Sequence, residues 1–594
     1  MAPALSALSR TTVVLAVALL AACATAPDRP SQPEPSSVFR ADLATSTAQR
    51  HMAASANPLA TQAGLEVLRA GGSAVDAAIT IQLMLALVEP QSSGLGGGAF
   101  LMHWDGRQVV ALDGRETAPR AVDERLFLAA DGKPMAFYEA VVGGRAVGTP
   151  GAVRLLETAH RRYGKLPWAR LFEPAIRLSE NGFPLSPRLH QLLAGEKFLK
   201  SDQAAAAYFY NADGSPKAVG TVLRNPELAA TLRAIAAGGG DAFYAGPIAA
   251  DLVATVRSQK NAGHLAATDL AAYQVRERTP VCTAYKRWRV CGMPPPSSGG
   301  IAVAQMLGIF THRNIAVFPP DGATTTEPRA EAVHLFSEAG RLAFADRALY
   351  VADSDFVPVN VAGLLDPAYL KQRAQLIGPR SMGTAPPGQP PGSSVAWAPD
   401  PSPMKAATSH ISVVDGHGNA VSMTTTIEDV FGARVMVRGF LLNNQLTDFS
   451  FVPVVDGKPV ANRVQPGKRP RSSMAPTLVF DRASGALVAT LGSPGGSQII
   501  GYVGKTLVGV LDWQLDIQQA IGLPNFGSRN GPTELEKGRF GAGVVEALKA
   551  RGHDIREIDM ASGLQGIVRV QLADGQFGWA GGADPRREGA ALGD

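Results

Sequence analysis

Residues 384 to 403 carry Pro386, Pro387, Pro390, Pro391, Pro399, Pro401 and Pro403, a density at which no helix or strand can run. Directly afterwards the chain alternates, Thr408-Ser409-His410-Ile411-Ser412-Val413-Val414-Asp415, which is the period of a strand. A chain interrupted in this way must be assembled from two differently patterned halves. The first half reads as helical. Asn57-Pro58 followed by Leu59, Ala63, Leu65 and Leu68, closed by Gly71-Gly72, supplies a cap, a proline in the first turn and a glycine stop. The same punctuation recurs from Thr149-Pro150 to Gly164 and from Asn225-Pro226 to Gly238, and residues 330–350 form another helical stretch. A hairpin around Asp105-Gly106 spans 100–112. The second half reads as strands at 408–414, 420–426, 439–442, 477–480 and 486–491, with helices near 497–511 and 539–551.

Position 408 is where this break acquires chemistry. A threonine hydroxyl is a weak nucleophile, and an internal one has no base of its own. Cutting between Ala407 and Thr408 supplies that base: the new α-amine has a pKa of roughly 7.7 to 8, so part of it is neutral near pH 7 and can take the hydroxyl proton. The proline-rich run then reads as the mobile end of a cleaved precursor, and Thr408 as a self-made active site.

The N-terminus reads Arg10-Thr-Thr-Val-Val-Leu-Ala-Val-Ala-Leu-Leu-Ala-Ala-Cys23, a basic residue, a short apolar core and small residues before cysteine. That core is too short for a spanning helix and reads as a secretory signal. Leu20-Ala-Ala-Cys23 resembles a bacterial lipobox, so we expect a lipoprotein signal over 1–22, a lipidated Cys23 and a flexible tether over 23–45. The body is expected to be exported to the periplasmic side of a bacterial membrane, touching it only through the lipid. Against 56 basic residues stand 51 acidic ones, a net charge of +5 with no basic stripe, which disfavours nucleic acid as a partner. Apart from Cys23, only Cys282 and Cys291 remain, flanking a Lys286-Arg287 turn. In a hairpin they lie across from each other, and either a disulfide or two small buried side chains fits.

Several familiar strings fail on context. Gly94-Leu-Gly96-Gly-Gly-Ala99 fits a dinucleotide fingerprint, with Asp113 and Glu116 downstream, but a helix and Pro90 precede it where a strand is required. Ser402-Pro-Met-Lys405 lacks the companion motifs of penicillin-recognising enzymes. No G-x-S-x-G elbow, no H-E-x-x-H and no clustered Cys/His set appears, and the ten histidines are scattered. His410 reads as a strand residue rather than a general base. What remains gathers around Thr408. Arg115 follows the hairpin, where its planar guanidinium suits a carboxylate. Asp448 suits an ammonium, Ser472-Ser473 offers two hydroxyls on a turn, and Gly495-Gly496 enters a helix whose N–H groups suit an oxyanion.

From about His51 to Pro585 the sequence resembles the γ-glutamyltransferases, also called γ-glutamyltranspeptidases or glutathione hydrolases, of the N-terminal-nucleophile hydrolases. The resemblance rests on Gly94-Leu-Gly-Gly-Gly-Ala-Phe100, Tyr163-Gly-Lys-Leu-Pro167, Pro294-Pro-Pro-Ser-Ser-Gly-Gly300, Leu442-Asn-Asn-Gln445, Arg471-Ser-Ser-Met474 and Gly492-Ser-Pro-Gly-Gly-Ser497. It implies an α+β, four-layer αββα sandwich assembled after autocleavage from a large subunit, 46–407, and a small one, 408–594. It implies that Thr408 is the cleavage and catalytic threonine, assisted by Thr426. It implies that Arg115, Ser472 and Ser473 hold the α-carboxylate of a glutamyl donor, that Gln445 and Asp448 surround its α-amine, and that Gly495 and Gly496 form the oxyanion hole. The implied substrates are glutathione, γ-glutamyl compounds and amino acid acceptors, with no metal or organic cofactor.

Two departures from that pattern bear on specificity. Glu428 stands two positions after Thr426 where many members carry asparagine, and the segment between Ser450 and Lys468 is shorter than a lid and lacks its tyrosine. A more open pocket favours water over a controlled acceptor, so hydrolysis ranks above transpeptidation. Two other readings stand behind this one: a cephalosporin or glutaryl acylase of the same superfamily, and a non-catalytic periplasmic binding lipoprotein.

Overall fold

The computed structural model describes residues 39–320, 327–393, 396–401 and 407–594. Cys23 and the signal segment lie outside them, as do Ser402 and Lys405. Within the described part of the expected tether the chain is docked: Arg40 N donates to Pro585 O at 2.9 Å, and its guanidinium donates to Arg587 O and Gly589 O.

Two seven-stranded antiparallel sheets form the centre. In spatial order the first runs Ala590–Gly593, Met52–Ser55, Ser409–Val414, Ala420–Thr426, Gly98–Trp104, Val109–Gly114 and Arg276–Arg278. The second runs Ser46–Ala48, Phe577–Ala583, Gln565–Gln571, Leu487–Gly492, Thr477–Asp481, Trp288–Gly292 and Val281–Tyr285. Each sheet takes strands from both sides of Thr408, so hydrogen-bonded ladders would still hold the two pieces together after a cut there.

Alternation sorts the side chains into layers. Ile411, Val413, Val421, Met423, Ala99 and Leu101 share a core with the helices Pro58–Arg69 and Ala74–Val88. Val414, Ala420, Phe100 and Met102 point the other way, into a core shared with the second sheet and the helices Gly299–His312, Ala330–Tyr350 and Ile499–Leu511. Helix, sheet, sheet and helix thus stack in four layers, as expected. Burying Ile411 or Val413 contributes about 1.5–3 kcal/mol each. A slip of one residue would turn His410 towards the helices instead, so the register of the Thr408 strand is tightly specified.

The end punctuation behaves as expected at Asn57, whose side chain accepts from Leu59 N, and at Asn225, which accepts from Leu228 N. The helix expected from Thr149-Pro150 starts at Ala152, two residues later than Pro150, because Thr149 exchanges backbone hydrogen bonds with Thr117. Cys282 and Cys291 are paired in register and joined as a disulfide. The described residues of the proline-rich segment form no helix or strand, and over 384–393 the chain is held rather than mobile. Prolines lack N–H groups but keep their carbonyls: Pro386 O accepts from Arg373 and Pro391 O from Asn360. Gly388 is clamped by Asp346 and Tyr350. The glycine-rich string at 94–98 also finds its reason. A Cβ on Gly96 would meet Leu441 O at 2.3 Å and one on Gly97 would meet Thr426 O at 2.1 Å, so these residues let one backbone press against another rather than cradle a nucleotide.

Candidate active site

Thr408 sits at the head of the strand Ser409–Val414, 3 % exposed, at one end of the sandwich. Its hydroxyl lies against the Ala407 carbonyl and 3.3 Å from Thr426 Oγ1. Thr426 closes the neighbouring strand, donates to Ala407 O at 2.7 Å and accepts from Glu428 N at 2.8 Å. Both hydroxyls therefore address the carbonyl that the expected cut would open. His410 is not part of this arrangement. It is buried between the sheets, bonded to Thr424 Oγ1 at 2.9 Å and Ser412 Oγ at 3.1 Å, and burial pushes its pKa down to about 3. Burial thus favours its neutral form near pH 7.

A single pocket is lined by Thr408, Thr426, Arg115, Glu428, Gln445, Asp448, Ser472, Ser473 and Gly496, so nearly all the residues singled out in the sequence converge there. Arg115 leaves the strand Val109–Gly114 and is fully buried. Its guanidinium donates to Pro470 O at 3.2 Å, to Arg471 O at 3.3 Å and to Asp448 Oδ2. Gln445 Nε2 donates to that same oxygen at 2.8 Å, so both protein donors fall on Oδ2. Beneath Arg115, at 3.9 Å, lies Glu116, whose two carboxylate oxygens have no hydrogen-bond partner. Burial pushes its pKa up to about 8, outweighing the adjacent guanidinium.

Ser472 and Ser473 are held from below. Ser298 N and Oγ both donate to Ser472 O, and Arg347 bridges Ser298 Oγ at 2.7 Å and Ser473 Oγ at 2.8 Å. Gly495 takes φ +131°, and a Cβ there would strike the Tyr502 ring at 2.5 Å. Gly496 opens a 3-10 turn, whose first N–H groups have no partner within the turn. Gly495 itself does not line the pocket. Glu428 adopts φ +78°, unusual for a residue with a side chain, and is clamped by Asn444 and Thr447.

The gamma-glutamyltranspeptidase family model matches residues 60–594. The chain belongs to that family. The glutathione hydrolase proenzyme of Bacillus subtilis strain 168 is 36% identical over 553 residues, 91% of each chain, and that of Escherichia coli K12 is 35% identical over 591 residues, 97% of each. Among solved structures, a cephalosporin acylase from Bacillus halodurans superposes with a TM-score of 0.80 at 28% identity, covering 96% of this chain and 99% of that one. The fold and enzyme class expected of the γ-glutamyltranspeptidases, γ-glutamyltransferase and glutathione hydrolase, are borne out.

Sequence reasoning missed several residues that line or brace the pocket. Arg347 lies on a helix buried almost throughout, and burial together with the Arg471 cation depresses its pKa. Arg471 pairs with Asp400 at 2.8 Å, and Asn462 ties Asp400 Oδ2 to the Asp448 carbonyl. Arg471 stands inside the Arg471-Ser-Ser-Met474 string and was findable there. Arg347, Asp400 and Asn462 have no such signal, because their partners are distant in sequence. No helix among the described residues is long and apolar enough to cross a membrane.

Proposed function

We propose that this protein cuts itself between Ala407 and Thr408 and then uses Thr408 to cleave the γ-glutamyl amide of glutathione and related compounds. The observation that carries this reading is the convergence of Thr408 with Arg115, Asp448, Ser472 and Ser473 on one pocket. A nucleophile beside a paired cation and anion suits an α-amino acid headgroup better than a plain acyl chain.

In maturation the Thr408 hydroxyl attacks the Ala407 carbonyl carbon, with Thr426 polarising its oxygen. The C–N bond breaks, the hydroxyl proton passes to the departing nitrogen, and water opens the resulting ester. In turnover the freed α-amine takes the Thr408 hydroxyl proton, Oγ attacks the γ-carbonyl, and the proton leaves with the released amine. The Gly495-Gly496 turn, of which Gly496 lines the pocket, receives the oxyanion, where losing one such donor typically costs about 2.7–4 kcal/mol of barrier. The γ-glutamyl ester passes to water or to an amino acid acceptor. Arg115, Ser472 and Ser473 hold the α-carboxylate. Gln445, Asp448 and the carboxylate of Glu428 face the α-amine, and the short segment before Lys468 favours water.

On this reading residues 46–407 and 408–594 are large and small subunits that remain paired. The apolar stretch ending at Cys23 supports export and a lipid anchor on the periplasmic side of a bacterial membrane. The solved acylase relative supplies the competing reading, an amidase for acyl groups without an α-amine. Steady-state assays with glutathione, with and without a dipeptide acceptor, and with an N-acylated donor separate the two. Turnover of glutathione that is lost on acylating its α-amine is expected. Equal turnover of the acylated donor, or of a glutaryl amide, would support the acylase and remove Asp448 from its role.

A further inference from the structure

His334, near the start of the helix Ala330–Tyr350, and His553, after the helix Ala542–Ala550, stand 219 positions apart in sequence and meet in space. Nδ1 of the first lies 2.7 Å from Nε2 of the second. Glu338, one helical turn beyond His334, completes a buried group whose ligand atoms all lie within 4.8 Å of one another. The scattered histidines of the sequence thus hide one cluster.

The outward-facing ring nitrogens are both engaged. His334 Nε2 lies 2.9 Å from Gly378 O, which can only accept, so Nε2 carries the proton and Nδ1 presents a lone pair inward. His553 Nδ1 lies 2.7 Å from Thr533 Oγ1, which accepts from Arg341 at 2.9 Å. That hydroxyl can donate to or accept from the imidazole. When it donates, His553 Nε2 bears the proton and hydrogen-bonds to His334. When it accepts, two bare nitrogens face each other beside a carboxylate, an arrangement that a cation stabilises. Glu338 receives Arg341 Nε, Ser381 Oγ and Met382 N, each at 2.9 Å. Those bonds use three of its roughly four lone-pair sites and leave one.

We propose that His334, Glu338 and His553 form a binding site for a zinc-class divalent metal ion that bridges the segments before and after Thr408. Two imidazoles and a carboxylate are a zinc donor set, and Gly378 O and Thr533 Oγ1 are the outer partners that orient such ligands. Tetrahedral zinc with bonds of about 2.0–2.1 Å sets its nitrogens about 3.3 Å apart, so loading parts the rings by about 0.6 Å. The His553 proton moves from Nε2 to Nδ1, and none is released. None of the three lines the Thr408 pocket. The ion therefore acts as a clamp between the two pieces rather than as a catalyst.

The test titrates purified, chelator-stripped protein with Zn2+ alone by calorimetry and measures zinc retained after desalting by mass spectrometry. One tightly held zinc per chain is expected, with affinity at least about 100-fold weaker in His334→Gln and in His553→Gln. Both variants should keep γ-glutamyl hydrolysis, and zinc should raise the melting temperature of the parent but not of His553→Gln. Uncleaved Thr408→Ala protein should bind zinc equally, which separates this site from the reading of Thr408. Absence of retained zinc, or equal affinity in parent and both variants, overturns the proposal. Should the variants fail to fold, X-ray absorption at the zinc edge of the parent decides: two imidazole ligands support the site, and a spectrum without them contradicts it.

Discussion

Two buried charge clusters in this protein look alike in composition and differ in how fully their polar atoms are used. Around Arg586, all five guanidinium N–H groups have acceptors: both oxygens of Glu536 at 2.6 Å, Asp584 at 3.1 Å, and the carbonyls of Ile521 and Leu523. Asp584 also accepts from Ser562 Oγ and Leu564 N, and Lys505 spends its three protons on Ile521 O, Leu523 O and Asn525. Around Arg115 the accounting stays open. Glu116 has no hydrogen-bond partner on either oxygen, Gln445 Oε1 has none, and both protein donors to Asp448 crowd onto Oδ2. A saturated cluster fixes a fold; one with capacity to spare is waiting for a ligand.

The sharpest way to break the comparison is at the nucleophile. Thr408→Ala should leave a single uncleaved chain on a denaturing gel and lower γ-glutamyl turnover by at least about 10³-fold. Next, Arg586→Met should cost about 3–5 kcal/mol of stability in denaturant melts, since it strands two buried carboxylates, while the KM of whatever folds stays near the parent value. Arg115→Ala should do the opposite. It should raise KM for γ-glutamyl donors by about 10²-fold with self-cleavage intact, and unchanged KM would exclude Arg115 from the carboxylate site. The last prediction concerns Glu116. Its folded pKa of about 8 lies above the unfolded value of about 4.3, so between those pH values the native state holds a proton that the unfolded chain lacks. Stability from this group is present at acid pH and lost as pH rises through 8. Glu116→Gln should flatten that slope between pH 5 and 8, and parallel slopes in parent and variant would refute the assignment.

Much of the site was legible because its chemistry is written in short strings. Thr408, Thr426, Arg115, Asp448 and the Ser472-Ser473 turn each stand in a local context that fixes a strand end or a turn, and the fold brings those ends to one pocket. The strands Ser409–Val414 and Ala420–Thr426 were legible from their alternation and the turn between them. The helix Ala74–Val88 was read only as a helix ahead of Pro90, and its packing was not legible, since every one of its residues is buried and a helix apolar all round has no stripe that shows which face meets the sheet. The late start at Ala152, the anchoring of the proline-rich segment and the placing of Arg347 all depend on partners tens to hundreds of residues away. Sequence periodicity carries no record of those.

N-terminal sequencing of the smaller fragment of the mature, active protein tests the central claim most directly. The account predicts a free amino group on Thr408, followed by Ser409 and His410. A first residue anywhere else, or full activity in a single unbroken polypeptide, would contradict it.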